Sequence, residues 1–264
     1  MKKVVIVMTH FNRPHQLGAT LDSLNDSRHG DFEVVVVDDC STSIPLPQRT
    51  DYLVHMIQTK DKRWTNPEPA YNLGIQHALT LRPDVIILQN AECYHVGDVI
   101  ARAAAIEPDE YLTFGCFSLD EHTTFRPHDI LALVRANDIG ATYDGQLAWY
   151  NHSRYRPVAY DFCSAITPAA LVALNGYDER FSLGWGYGDN YLLARIKMLG
   201  LRVGILDTPF VVHQWHYSAA QGHGHARRAL TAKNKALFDK LLTENKFRAE
   251  HLFTENLLLT YAEN

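Results

Sequence analysis

Between Asn175 and His216 the chain holds a carboxylate, bare glycine backbone, a tryptophan and two potential metal ligands: Gly184-Trp185-Gly186-Tyr187-Gly188-Asp189, a helix-like segment, a strand-like segment, then His213-Gln214-Trp215-His216. Two further acids stand just after strand-like runs: Asp39 in Asp38-Asp39-Cys40-Ser41 and Glu92 in Gln89-Asn90-Ala91-Glu92-Cys93. An ionised carboxylate is an acceptor only, suited to ribose hydroxyls, a base N–H, a hard cation or a hydroxyl proton. The glycines near Asp189 are spaced GxGxG with no β-branched strand before them, so a dinucleotide-binding turn is a weak reading. Each feature also has a plainer reading. Asp-Asp is a turn former, Glu92 can start a helix or turn, Asp189 can be a helix N-cap, and a chain with 14 histidines pairs some by chance. As an N-cap Asp189 would be held ionised by the helix dipole and weakened as a base.

The elements that must position these residues alternate. Residues 4–8 form a continuous β-branched run, as in a strand covered on both faces. Pro14 opens a helix with Leu17, Leu21 and Leu24 on one face, and residues 32–37 form the next strand. This βαβ unit puts Thr9 and Asp39 at carboxyl ends of strands, where such sheets bind ligands. A proline-rich loop over residues 43–69 surrounds a short strand near 52–57, and a helix follows from Ala70. Strands are expected at 84–88 and 111–119, with an Asp98-capped helix to Ile106 between them. Residues 120–156 show no sustained periodicity. Thr167, Pro168 and Gly176 frame a helix, Asp189 to Gly200 another, and 201–206 and 210–212 read as two short strands separated by Asp207-Thr208-Pro209. Residues 222–228 read as a donor-rich loop, and residues 226–257 as helices.

With 264 residues and 46% apolar content the chain can bury a substantial α/β core. A formal net charge of −5 argues against a surface that grips nucleic acid everywhere. The first apolar run stops at Thr9-His10 without a small-residue cleavage site, no run approaches the roughly 20 residues of a bilayer span, and the four cysteines form no CxxC pair. A cytoplasmic, reduced protein is expected.

The strand ending in Thr9-His10-Phe11-Asn12-Arg13, followed by a helix and a strand ending in Val37-Asp38-Asp39-Cys40-Ser41, resembles family 2 glycosyltransferases of the GT-A fold. Ala70-Tyr71-Asn72-Leu73-Gly74-Ile75 is similar to that family's Ala-Arg-Asn-x-Gly-Ile helix, with Tyr71 in place of arginine. Asn90-Ala91-Glu92 stands where the family carries Asp-x-Asp, and Gly176-Tyr177-Asp178-Glu179-Arg180-Phe181 resembles its Gly-Phe-Asp-Glu-x-Phe run. Trp185 to Asp189 resembles the Trp-Gly-x-Glu-Asp motif of galactosyltransferase-like enzymes, with Gly188 in place of glutamate.

The resemblance implies a Rossmann-like, mostly parallel sheet flanked by helices. Residues 1–225 would be the catalytic domain, divided into a nucleotide-sugar half (1–106) and an acceptor half (107–225), with 226–264 a helical extension packed on it. Thr9, Asn12, Arg13, Asp38, Asp39, Asn72 and Asn90 would hold a UDP-sugar donor. Lys60, Lys62 or Arg63 would supply the cationic group that Tyr71 does not. Asp189 would be the general base of an inverting hexosyl or pentosyl transfer, with Asp178 or Glu179 as fallback, and Trp185, Gly186, Tyr187 and Asp178 would contact substrate. The late histidines, His213 and His216, would join Glu92 in a mixed oxygen and nitrogen set suited to Mn²⁺ and tolerant of Mg²⁺. Lys60, Arg63, His223 or Arg227 would neutralise the leaving diphosphate if no metal did. The acceptor would be a hydroxyl of a glycan, or of nucleic acid or protein. Two alternatives remain: a non-catalytic nucleotide-sugar or glycan binder, favoured by Asn90-Ala91-Glu92 and Gly188, and a nucleotidyltransferase, against which stands the absence of a glycine-rich, Lys-bearing first turn.

Overall fold

In a computed structural model the described residues are 1–43, 50–126, 129–139, 147–217 and 224–257. They comprise β1 (Val4–His10), α1 (Pro14–Leu24), β2 (Phe32–Asp38), β3 (Leu53–Gln58), α2 (Glu68–Thr80), β4 (Val85–Asn90), β5 (Cys93–Val96), α3 (Val99–Ala104) and β6 (Glu110–Ser118). There follow α4 (Glu121–Phe125), α5 (Ile130–Ala136), β7 (Ala148–Asn151), β8 (Cys163–Ile166), α6 (Pro168–Leu174), a 3₁₀ turn (Glu179–Leu183), α7 (Gly188–Met198), β9 (Arg202–His213) and α8 (Gly224–Glu244). One sheet runs β3-β2-β1-β4-β8-β6-β9-β5, with β7 added to β6. β1 pairs in parallel with both β2 and β4, whereas β8 is antiparallel to β4 and β6.

The β-branched runs sort by the two-residue strand period. Val4, Ile6 and Met8 pack with α1 and α3, while Val5 and Val7 face α2, α6 and α7. α2 lies unusually close to the sheet: a Cβ on Gly74 would come within 2.6 Å of Val7 Cγ1 and 3.0 Å of Val37 Cγ2. Glycine at that point lets the helix that begins at Glu68 settle beside the strand ends.

Thr167 caps α6 as expected, and the chain leaves that helix through Asn175 in the left-handed region (φ 62°). Fully buried Arg195 on α7 donates to the carbonyls of Leu174 and Gly176 at 2.9 Å each. Burial lowers its pKa to about 10. This clamp fixes α7 against the end of α6, and so fixes the segment that leads to Asp189.

Several expectations change. The two short strands at 201–206 and 210–212 are one, β9, whose ladder with β6 shifts register between Phe114 and Gly115. Pro209, read as a break, sits in that irregularity, where a missing N–H costs no ladder bond. The expected loop at 222–228 is helical from Gly224; His223 lies outside the described residues. Between residues 245 and 256 the chain is not helical, and part of it is pinned by Glu179, which accepts from the backbone N–H groups of Leu252, Phe253 and Thr254. The illegible stretch 120–156 contains α4, α5 and β7, elements too short to show a period. No helix of the described residues is long and apolar enough to cross a membrane.

Candidate active site

The carboxyl ends of β1, β2 and β4 open on a cavity of about 470 Å³ whose lining includes Thr9, Arg13, Asp39, Lys62, Trp64, Glu92, Trp185 and His216. A second cavity, about 180 Å³, is lined by Glu68, Tyr71, Tyr160, Asp161, Tyr177, Gly188 and Asp189, among others. Asn66, Pro67 and Asn90 belong to both. Residues far apart in the chain thus form two adjoining chambers with a common wall.

In the larger chamber Asp39 is buried and accepts from Trp64 Nε1 at 3.0 and 3.2 Å and from the Lys62 ammonium. Lys62 also lies 4.2 Å from the Phe11 ring centroid. Of the three cations expected to stand in for an arginine at position 71, Lys62 is the one at the cavity; Lys60 is exposed, and Arg63 is exposed and paired with Asp61. Tyr71 itself donates to Asn90 Oδ1 at 3.0 Å and stacks on Tyr177.

Three donor candidates are engaged elsewhere. Asp38 is fully buried, 3.0 Å from His10 Nδ1, and accepts from the Ser41 N–H. Asn12 lies on the exposed side and accepts from Thr42, bracing the turn after β2. Asn72 is sealed in the core, bonded to both backbone groups of Tyr177 and to Glu179. Its place in the motif therefore has a packing explanation: it ties α2 to the segment before the 3₁₀ turn.

Glu92 directly precedes β5, and β5 pairs antiparallel with β9 so that Cys93 faces His213. That pairing brings together groups that are distant in sequence. Glu92 Oε1 lies 3.3 Å from His213 Nε2, 3.4 Å from His216 Nε2 and 2.7 Å from Arg13. One ligand atom from each of Glu92, His213 and His216 falls within 4.8 Å of the others. Gln214 accounts for the precision of this turn: its N–H and its Nε2 both donate to the Glu92 carbonyl, and Nε2 also reaches Gln16 and Thr20. Burial would raise the Glu92 carboxyl, but Arg13 and the two histidines hold it well below the usual range. Burial lowers His213, favouring the neutral imidazole that a cation requires of a histidine ligand. Glu92 Oε2 is buried with no protein partner. An ionised carboxylate with an orphan oxygen, beside two imidazoles, fits a divalent cation with positions left open for other ligands.

In the smaller chamber Asp189 is not the cap of α7. Tyr187, left-handed at φ 66°, takes that position and the helix begins at Gly188. The expected lowering of the Asp189 pKa is reversed: burial and the nearby Asp161 charge raise it to about 6. Asp161 is itself raised by burial, although Tyr177 donates to it. Trp185 lines the larger chamber and carries the Arg227 guanidinium 5.2 Å from its ring centroid. The Gly186 carbonyl accepts from Asn66 and Asn234, while the Tyr187 ring packs on Phe238. The fallback acids are occupied: Asp178 is forked to Arg180 at 2.9 and 2.7 Å, and Glu179 holds the 252–254 backbone.

Sequence reasoning missed Glu68, Asp161, Tyr160 and Trp64. Only Glu68 left a trace, as the charged residue between Pro67 and Pro69 where the helix begins. It explains Gly188, because a Cβ there would lie 2.0 Å from Glu68 Oε1. Gly188→Ala is therefore expected to lower stability by about 1–3 kcal/mol, by driving a buried carboxyl from its place. In a Glu68→Ala background the same substitution should raise stability by about 0.4–1 kcal/mol, because alanine reduces the conformational entropy of the unfolded chain. Chemical denaturation of the four proteins measures this reversal of sign.

Residues 5–111 match the family described as glycosyl transferase family 2. No curated protein matches the chain. Among solved structures it is similar to Staphylococcus aureus TarS 1-349 in complex with UDP-GlcNAc, at 13% identity and a TM-score of 0.63, over 98% of this chain and 71% of that one. The same protein in complex with UDP gives 12% and 0.61, over 98% and 70%. The mannosyltransferase PcManGT from Pyrobaculum calidifontis, in complex with GDP-Man and Mn²⁺, gives 17% and 0.56, over 99% and 73%. The chain thus has the GT-A fold, and at residues 5–111 it carries the glycosyl transferase family 2 segment.

Proposed function

We propose that the protein is an inverting glycosyltransferase that moves a sugar from a UDP-sugar to an acceptor hydroxyl. The observation that carries this reading is the pair of chambers with a common wall. One holds Asp39 and borders the Glu92, His213 and His216 cluster; the other holds an aspartate whose pKa is raised to about 6. The larger chamber takes the donor, with Asp39 and Trp64 on the nucleoside side and Arg13 and Lys62 near the diphosphate. A divalent ion, Mn²⁺ or Mg²⁺, held by Glu92, His213 and His216 would supply positive charge to the leaving diphosphate. Asp189 takes the acceptor hydroxyl proton as that oxygen bonds to the anomeric carbon. The bond from that carbon to the phosphate oxygen breaks on the opposite face, and its electron pair leaves with the nucleoside diphosphate. The four free thiols support a reducing, cytoplasmic setting.

The test is a panel of nucleotide sugars, with and without Mn²⁺, scored for thermal stabilisation and nucleoside diphosphate release. Stabilisation and release with a UDP-sugar are expected. Stabilisation without release from any donor would move the protein to the non-catalytic, nucleotide-sugar-binding reading, and no response at all would remove both.

A further inference from the structure

The smaller chamber contains a carboxyl with an unpartnered oxygen that the proposed transfer does not use. Glu68 opens α2 and is 4% exposed. Its Oε1 occupies the space of the missing Gly188 side chain, and its Oε2 is buried without a protein partner at the chamber wall. Its carboxyl is pushed well above the usual range, first by burial and then by the neighbouring Asp189 charge. No lining residue is cationic: the polar ones besides it are Asn66, Asn90, Asp161, Asp189 and three tyrosines. Burying a carboxyl oxygen with no partner costs stability and persists where a ligand completes the bond.

We propose that Glu68 is the second carboxyl of the acceptor site, supplied by α2 across the start of α7 instead of by position 188, and that its Oε2 receives a hydroxyl of the acceptor. This deepens the transferase reading and rests on its assignment of the smaller chamber to the acceptor. The chamber also narrows the class of ligand. At about 180 Å³ it is smaller than the roughly 300–1,000 Å³ of drug-sized sites, so it admits one ring or its hydroxyl edge. Its walls are rich in acceptor oxygens and aromatic faces, which suits a neutral, polyhydroxylated ring that donates O–H groups. An acceptor carrying phosphate or carboxylate would meet Asp161 and Asp189. Gly188 is then the consequence of the arrangement and not a missing catalytic feature, because two carboxyls cannot share that volume.

The experiment measures binding of a panel of methyl hexopyranosides to the full chain by ligand-observed NMR, with melting curves for every variant. Donor turnover, assayed separately, decides glycosyl transfer. At least one glycoside should bind the wild type. Glu68→Ala should weaken that binding about 10-fold or more, the loss expected for a hydrogen bond to a carboxyl. Glu68→Gln, which keeps an acceptor oxygen, should stay within about threefold of wild type. Glu68→Ala/Gly188→Glu should recover binding by returning a carboxyl from α7. If alanine lowers the melting point, Glu68→Met, equal in length and without oxygen, takes its place. The proposal is overturned if no glycoside binds the wild type, if folded Glu68→Ala or Glu68→Met binds undiminished, or if the exchanged variant is folded and no better than Glu68→Ala. Binding with this pattern but without turnover of any donor would sink the transferase reading and leave Glu68 in its role.

Discussion

Asp189→Asn is expected to lower nucleoside diphosphate release with acceptor present by about 10²–10⁴-fold while raising the stability of the protein at pH 8. The first effect is the range that a positioned general base contributes. The second follows from linkage. Burial and Asp161 raise the Asp189 pKa to about 6 in the folded chain, from 3.8 for a free aspartate. A carboxyl raised in this way favours the folded state while it is protonated, fully so below the unfolded pKa. That contribution is lost as pH rises through the folded pKa. Above pH 6 the ionised group therefore costs stability, on the order of 1–3 kcal/mol. Asparagine removes the charge, so the variant should melt higher than wild type at pH 8 and at the same temperature near pH 3.5. Activity has the opposite dependence: the wild-type rate should climb between about pH 5 and 7 and flatten above, since only the ionised form accepts a proton. A structural cap would behave otherwise, losing stability on substitution at high pH. Melting curves at three pH values together with the pH profile of kcat/KM distinguish the two.

Why the raised pKa escaped sequence reasoning shows where such reasoning stops. Asp189 was legible as an acid at a helix start, and helix starts stabilise negative charge. Its shift comes first from burial beneath a wall that includes α2 and then from Asp161 on the segment before β8, neither of which is local to Gly184–Asp189. The same boundary runs through the rest of the site. Asp39 and Glu92 could be picked out because acids directly after buried β-branched runs lie at strand ends, and the layered core follows from those runs. Glu92 meets His213 through an antiparallel pairing of β5 with β9, and β9 was hidden by Pro209, which reads as a break unless the register shift opposite Gly115 is known. Asn72 and Asp38 had the residue types of donor contacts, yet both are taken by internal partners, Tyr177 with Glu179 and His10 with Ser41. Residue type shows what a side chain can bond; only the fold shows what is already bonded to it. Glu68 is the converse case, set between two prolines and given meaning by a glycine on another helix.

Mn²⁺ is expected to raise the melting temperature of the wild type, and Glu92→Gln to abolish that rise. A ligand at 100 times its Kd stabilises a fold by about 2.7 kcal/mol, which calorimetry or thermal shift detects readily. The amide keeps the shape of Glu92 but removes the anion that gathers Arg13, His213 and His216 around Oε1 and leaves Oε2 free. His213→Ala should weaken the response and shift its pH dependence little, because burial already holds that imidazole neutral near pH 7. If the ion neutralises the leaving diphosphate, chelation should slow turnover by about 10²-fold or more, corresponding to several kcal/mol of transition-state stabilisation. Arg13 makes this test sharper. Its guanidinium donates to the same Oε1 at 2.7 Å, so it competes with any cation for Glu92 and can itself turn toward the diphosphate once that oxygen is ligated. Arg13→Met should then tighten Mn²⁺ binding and still cost turnover, two changes of opposite sign from one substitution. A rate indifferent to chelator but lost in Arg13→Met would sink the metal assignment and make the arginine the group that carries the leaving charge.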